Sequence, residues 1–394
     1  VNAEELKQRL KEKAKEIGID KIGFASADPF TELKERLKES REKGYASGFE
    51  EPDIEKRVDP GRSLPQAKTI IAIALSYPSR LKNAPRSEEG AYRGYFCRAS
   101  WGQDYHDVLK ERLRQLEAAF KEWVPEARTM IMVDTGALSD RAVAERAGIG
   151  WSGKNTAIIT EEFGSWVYLG EMITDVYLPP DEPVTDGCGD CTLCLDACPT
   201  GALVQPGQLN AQSCIAYLTQ TKGFLPDEYR GKIGNRLYGC DTCQIVCPKN
   251  RKIDFDHQQE FRPDPEKVKP LLKPLLSISN LEFKETYGSM AGSWRGKKPI
   301  QRNAILALAH FRDRSAVPDL IRLLREDPRP VIRGTAAWAL GKIGGEEAKE
   351  ALLGAKEKET DPEVLREIDK GLEFFAGPRL FLERGVFADK ENSF

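Results

Sequence analysis

Eight of the nine cysteines fall between Cys188 and Cys247, and their spacing limits the chemistry they can do. Cys188-x2-Cys191-x2-Cys194-x3-Cys198-Pro199 has the order of a bacterial iron–sulfur motif. In such a run three closely spaced thiolates wrap three irons of one cubane, and the fourth, turned away at the proline, ligates a neighbouring cluster. Cys240-x2-Cys243-x3-Cys247-Pro248 repeats the pattern without its first cysteine, and Cys214 upstream is the natural substitute. The expected pairing puts Cys188, Cys191, Cys194 and Cys247 on one [4Fe–4S] cluster and Cys198, Cys214, Cys240 and Cys243 on a second. Zinc is the rival, since paired C-x2-C units also build zinc sites. A zinc ribbon uses two pairs, whereas here a proline twice closes a three-plus-one set. Structural disulfides would call for a secreted protein. The opening VNAEELKQRLKEKAKEIG reads as a charged amphipathic helix and not as a signal peptide. Two clusters at short range move single electrons, and the long segments on either side of them suggest that they feed a redox site elsewhere.

Outside this window the candidates are fewer. Asp134 follows an apolar strand in a Val-Asp-Thr-Gly turn. It is either a turn-capping aspartate or a general acid whose carboxyl is raised by apolar walls. Cys97, in Tyr-Phe-Cys-Arg, is either a small core residue or the lining of a cofactor pocket. His106 reads as a structural histidine rather than a metal ligand. Gly148-Ile149-Gly150-Trp151-Ser152-Gly153-Lys154-Asn155 fits G-x-G-x-x-G and nearly fits a phosphate-binding loop. Both need a strand before and a helix after; here the order is reversed, and Asn155 stands where magnesium needs a hydroxyl. Neither nucleotide reading survives, although such a connection still lets a ligand approach the backbone, with Lys154 and Asn155 as donors.

The elements that must position these residues follow from periodicity and composition. The chain has 394 residues, 40% apolar and 31% charged, with a net charge of -3. That composition disfavours disorder, a collagen-like fibre and a membrane span, and the best apolar run, Ile70 to Leu75, is far below the roughly 20 residues a bilayer needs. Residues 1 to 180 predict a mixed α/β domain with a helix at Asp107 to Phe120, a buried strand at Met130 to Val133 and a strand pair over Ser165 to Val176. Residues 181 to 256 form a cysteine-, proline- and glycine-rich domain that needs something besides a large core. From 257 to 394 the chain is helical and repetitive: Pro299-Ile300-Gln301-Arg302 recurs as Pro330-Val331-Ile332-Arg333, with a weaker copy at Asp361-Pro362, as in a short α-solenoid. Arg295 to Gly345 carries 11 basic and four acidic residues, and Glu346 to the end 13 acidic and 8 basic. A near-neutral total thus conceals a basic strip able to hold a phosphate backbone, the bland alternative being a solvated face.

Taken together, VDTGALSDRAVAERAGIGWSGKN, CGDCTLCLDACPTGAL, LTQTKGFLPDEYRGKIGNRLYGCDTCQIVCP and SWRGKKPIQRNAILALAHF resemble the epoxyqueuosine reductase family over nearly the whole chain. The resemblance implies an α+β protein: an N-terminal mixed α/β cobalamin-binding catalytic domain (1–180), a bacterial ferredoxin-like domain with two [4Fe–4S] clusters (181–256) and C-terminal HEAT-like helical repeats that bind tRNA (257–394). It implies deoxygenation of epoxyqueuosine at the tRNA wobble position, using cob(I)alamin made with electrons from the clusters and Asp134 as proton donor. Carried over with it are the cobalamin contacts Arg57, Cys97, Asp134, Ile158, Leu169, Ser213 and Gln220. No histidine stands in a D-x-H-x-x-G motif, so the cobalamin tail is expected to be displaced without a replacing histidine. Lys222, Asn280, Arg295, Lys297 and Lys298 are the expected tRNA contacts, in keeping with recognition of a splayed single-stranded base. The implied setting is cytoplasmic, with a flavodoxin or ferredoxin as electron donor, no membrane partner and a monomeric state. The readings set against this one are a cobalamin and iron–sulfur reductive dehalogenase acting on a small substrate, and a non-catalytic electron-transfer or RNA-binding protein.

Overall fold

The strand Thr69–Ser76 is buried at every position, because other strands pair with both of its edges and helices cover both of its faces. Lys21–Ser26 and Val167–Thr174 flank it antiparallel, and Thr129–Met132 pairs with the outer edge of Val167–Thr174. Alternation then sorts the side chains. Ile71, Ile73 and Leu75 turn to one face, against Leu6 and Leu10 of the helix Ala3–Glu16 and Leu109 of the helix Tyr105–Trp123. Ile70, Ala72 and Ala74 turn to the other, against Val143 and Ala144 of the short helix Asp140–Arg146. The coordinates are a computed structural model that describes residues 2 to 376. The chain divides into two units: Val1–Ser79, Arg98–Tyr217 and Asp241–Arg262 in the first, with Arg80–Cys97, Leu218–Cys240 and Pro263–Phe394 in the second.

Two expectations change in detail. Val167–Thr174 is one continuous strand where the sequence reading had a strand pair. Gly170 at its centre does not turn the chain; it admits a helix, since a Cβ there would lie 3.2 Å from Leu109 Cδ2 and 3.1 Å from Val133 Cγ2. Thr129–Met132 is an edge strand with Met130 37% exposed, and an apolar run does not reveal whether its strand is central or peripheral.

In the second unit, helices Lys297–Phe311, Val317–Glu326, Pro330–Ile343, Glu346–Lys356 and Pro362–Ala376 follow one another. Pro330 and Pro362 open their helices, where the missing N–H is no loss. The acidic stretch counted to the C-terminus runs beyond the described residues. The arginines of the two Pro-x-x-Arg copies, Arg302 and Arg333, are taken up in holding the fold. Arg302, 1% exposed, donates to the carbonyl oxygens of Leu218 at 2.8 Å, Thr221 at 2.8 Å and Gly223 at 2.9 Å. Its burial pulls the guanidinium pKa down to about 9. Arg333 pairs with Glu359 at 2.8 Å and Arg329 with Asp327 at 2.6 Å, so three cations of the expected basic strip are already committed. Among the described residues no helix is long and apolar enough to cross a membrane.

Arg302→Met would strand those carbonyls at about 1 kcal/mol or more each. It should lower unfolding free energy by about 3 kcal/mol, whereas Arg314→Met, on an exposed residue, should change little. Thermal denaturation of the two variants side by side checks this; an unchanged midpoint in the Arg302 variant would remove its structural role.

Candidate proton-transfer and iron–sulfur sites

Asp134 stands just past the edge strand with φ of +52°, a left-handed conformation that a non-glycine residue keeps only when its surroundings enforce it. Here the enforcing contact is Asp140, the first residue of its helix, whose Oδ2 accepts the Asp134 backbone N–H at 2.7 Å. The Asp134 carboxyl projects into solvent and meets one hydrogen-bond donor and one ion-pair partner. Tyr105 Oη donates to its Oδ2 at 2.9 Å, and His106 Nε2 lies 3.3 Å from the same oxygen. Asp104, N-cap of the helix Tyr105–Trp123, accepts the His106 backbone N–H at 3.0 Å and sits 2.7 Å from Nδ1. One imidazole is therefore held between two carboxylates.

The electrostatics follow from that arrangement. Partial burial works against protonation of His106, but the hydrogen bonds and charges of Asp104 and Asp134 outweigh it and raise its pKa to about 9. The contact with His106, with help from Tyr105, holds the Asp134 carboxyl below its usual value against the effect of desolvation. Apolar walls that raise Asp134 are thus not what surrounds it; at neutral pH the proton rests on the neighbouring imidazole. Beneath the turn, burial and the Asp134 charge push Asp140 up to about 6, although the N–H bond from Asp134 opposes them. Glu171, 1% exposed on the strand Val167–Thr174, is raised well above the ordinary carboxylate value by burial and then by Asp140 and Asp134. Its Oε1 has no hydrogen-bond partner.

Of the other expected residues in the first unit, Arg57, Ile158 and Leu169 lie near this turn. Arg57 is lowered by burial and senses Glu50, Arg141 and Asp140. Arg141 donates to Thr156 O at 2.7 Å and is lowered by desolvation even though its side chain reaches solvent. Ile158 and Leu169 belong to the apolar cluster on the same sheet face as the Asp140 helix. Ser213 is buried at the end of a short turn whose neighbours Ala211 and Gln212 bond to the carbonyls of Tyr45 and Ala46. Cys97 and Gln220 lie in the second unit. There Cys97 is buried and its N–H bonds to Tyr238 O at 2.9 Å. Gln220 Oε1 accepts Trp294 Nε1 at 2.8 Å and its carbonyl accepts Arg295 Nε at 3.1 Å. Lys222, Asn280 and Lys298 are exposed, and Lys297 donates to Ile278 O at 2.8 Å.

The cysteine segments repeat one local form. Leu193–Asp196 and Thr242–Ile245 are matching single-turn helices, each beginning just after or just before a ligand-type cysteine. Burial raises the Cys194 and Cys247 thiols, and neighbouring thiols raise them further: Cys247 and Cys188 act on Cys194, and Cys188 and Cys191 on Cys247. Four sulfurs from two distant stretches are thereby within electrostatic reach of one another. The glycine-rich segment proves to be a support for this loop. Its hairpin, Trp151–Ser152 with Ile158–Ile159, sends Lys154 Nζ to Gly189 O at 2.5 Å. Gly148, at φ of +70°, lies so close to the chain that a Cβ would stand 2.5 Å from Glu182 O.

Sequence reasoning missed Tyr105, Asp104, Asp140 and Glu171 as parts of the site. Asp104 ahead of an amphipathic helix is a recognisable N-cap that fixes His106, the second residue of that helix. A lone glutamate in the apolar strand YLGEMIT was the other available signal.

The fold and these sites define a class: a double-cluster iron–sulfur protein with helical repeats. Residues 187–250 match the 4Fe-4S double cluster binding domain, 57–135 the epoxyqueuosine reductase QueG family model, and 296–373 HEAT repeats. The epoxyqueuosine reductase of Bacillus cereus is 67% identical over 95% of this chain and 98% of its own. A crystal structure of an epoxyqueuosine reductase with an epoxyqueuosine-modified tRNA-Tyr stem loop has 65% identity and a TM-score of 0.94, covering 95% of this chain and 100% of that one. A Bacillus subtilis structure with the same identity and coverage, at a TM-score of 0.93, has its Asp134 catalytic loop swung out of the active site. The chain belongs to the epoxyqueuosine reductase family.

Since the His106 pKa lies above its ordinary 6.5, the contacts with Asp104 and Asp134 add stability that is complete below about pH 6.5 and is lost as pH rises through about 9. An NMR titration of His106, assigned by comparison with His106→Gln, should give a midpoint near 9 that drops in Asp134→Asn. A midpoint near the ordinary value would rule out the double carboxylate clamp.

Proposed function

We propose that this chain reduces epoxyqueuosine in the wobble position of tRNA to queuosine, with Asp134 delivering the proton that converts the epoxide oxygen into a leaving group. The observation that carries the reading is the Asp134 carboxyl itself, exposed on an enforced left-handed turn beside a histidine that holds a proton at neutral pH. Converting the epoxide to the alkene takes two electrons and two protons and releases water. Asp134 is the group at the reacting oxygen, His106 the store from which it is recharged, and Tyr105 the donor that orients it.

The donor sets suit the groups the family requires. The thiol spacing supports clusters on Cys188, Cys191, Cys194 and Cys247 and on Cys198, Cys214, Cys240 and Cys243. Around the Asp134 turn, the cations Arg57 and Arg141, the apolar Ile158 and Leu169 and the partnerless buried amide nitrogen of Asn155 suit a large apolar ring edged with amides. Cobalamin is such a group, and Arg57, Cys97, Asp134, Ile158, Leu169, Ser213 and Gln220 are the residues we assign to it. When bound it supplies a strong reductant at the epoxide, fed one electron at a time by the clusters. Lys222, Asn280, Arg295, Lys297 and Lys298 are assigned to the RNA, and a flavodoxin or ferredoxin to electron delivery, in a cytoplasmic monomer.

Anaerobic reconstitution with cobalamin, a reductant and epoxyqueuosine-containing tRNA should yield queuosine; its absence with clusters and cobalamin verified would end the proposal. Asp134→Ala should keep cobalamin and tRNA affinity but lose at least about 100-fold in turnover, the usual contribution of a positioned acid. Asp140 tests the turn separately. Asp140→Ala, which removes the acceptor of the Asp134 N–H, should lower kcat about tenfold with KM for tRNA unchanged, and Asp140→Asn, which keeps an oxygen there, should restore most of it.

A further inference from the structure

We infer that Trp294 is a stacking platform for one unpaired base of the tRNA anticodon loop, an inference that rests on the tRNA reading above. Trp294 is 52% exposed, an unusual state for the largest apolar side chain. It is also fixed in place. Its indole N–H donates to Gln220 Oε1 at 2.8 Å, the Arg295 guanidinium lies 4.7 Å from the ring centroid, and Arg295 Nε donates to the carbonyl of the same Gln220 at 3.1 Å. One residue thus anchors both the ring and the cation backing it, while half of the indole surface remains open to solvent.

The surroundings point to the class of ligand. Between Glu285 and Asp313 the chain has no acidic residue, and Arg295, Lys297 and Lys298 follow Trp294 directly. Lys297 Nζ bonds to Ile278 O at 2.8 Å, which ties the start of its helix to the residues leading into Asn280–Tyr287. That second helix presents Asn280 and Leu281, the latter 65% exposed. Basic charge selects a polyanion, and a flat, immobilised ring among the charges selects a base free of its stack. A helical duplex would offer phosphates but no base face, so the combination favours a single-stranded loop.

The test measures binding of an unmodified anticodon stem–loop RNA to the reconstituted holoenzyme by fluorescence anisotropy at several salt concentrations. Trp294→Ala should weaken binding about tenfold, and Trp294→Phe, which keeps an aromatic face, only about two- to threefold. The salt dependence of Trp294→Ala should match that of the parent, whereas Lys298→Ala should lower the slope by about one. Removing the base at each loop position in turn should identify one nucleotide whose loss weakens the parent about tenfold and the Trp294→Ala protein hardly at all. Parent-like binding by Trp294→Ala would overturn the inference. So would equal losses in the Ala and Phe variants with a lowered melting temperature, which mark a structural tryptophan. Failure of the parent itself to bind the RNA would overturn the tRNA reading and the stacking role with it.

Discussion

No residue from 181 to 200 is buried, so the loop bearing Cys188 to Cys198 cannot be held by an apolar core of its own. What the sheet domain offers instead is a small set of polar and backbone anchors. Lys154 bonds to the carbonyl of Gly189, and Gly148 lets the chain at Glu182 lie against the backbone. On the other half of the motif, Asp241 is 2% exposed and accepts both the backbone N–H and the guanidinium of Arg98, each at 3.0 Å. Asn250, three residues past Cys247, accepts the Ser165 N–H at 2.7 Å and donates to Ser165 Oγ at 2.8 Å and Gln244 O at 2.7 Å. These anchors place the thiols without enclosing them, and bound metal is the term that completes such a site. The sheet, the glycine-rich hairpin and the residues around Asn250 all serve this requirement.

The legible parts of the sequence were those whose signal is local. The cysteine spacing, the run Ile70 to Leu75 and the recurring Pro-x-x-Arg can each be read from residue types and spacing along the chain, and the last two became a strand and helices as expected. What remained hidden depends on pairs distant in the chain. Asp134 and His106 are 28 positions apart, and only the edge strand and the Asp104-capped helix bring them together. That pairing reverses the expected direction of the Asp134 shift, because a protonated imidazole at 3.3 Å outweighs desolvation. The edge position of Thr129–Met132 was hidden for the same reason: it depends on which strand fails to arrive on its far side.

The carboxyl groups near the turn form a graded series. Glu171 is deepest and is raised well above the ordinary carboxylate value by burial, Asp140 lies intermediate with its pKa at about 6, and Asp134 reaches solvent and is held below its usual value beside His106. Groups of one chemical type whose environments push them apart take different roles. Asp140 acts on the backbone of Asp134, and Asp134 alone faces outward.

A count of charges along the helical repeats does not show which cations the fold itself consumes. Pro-x-x-Arg recurs because the arginine fits a folding need: Arg302 satisfies carbonyls of residues 218 to 223, and Arg333 neutralises Glu359. A guanidinium consumed in this way offers nothing to phosphate, however basic the stretch looks in sequence. Lys298 is exposed where the helical repeats begin, four residues past the exposed Trp294, and Arg312, Arg314, Arg322 and Arg325 further along are exposed as well. Buried arginines and exposed ones contribute equally to net charge and oppositely to binding. Because the Arg302 guanidinium also holds the carbonyls of residues 218 to 223, around Gln220, it supports the residue that fixes Trp294. The recurring arginine thus shapes the surface that the neighbouring cations and indole present.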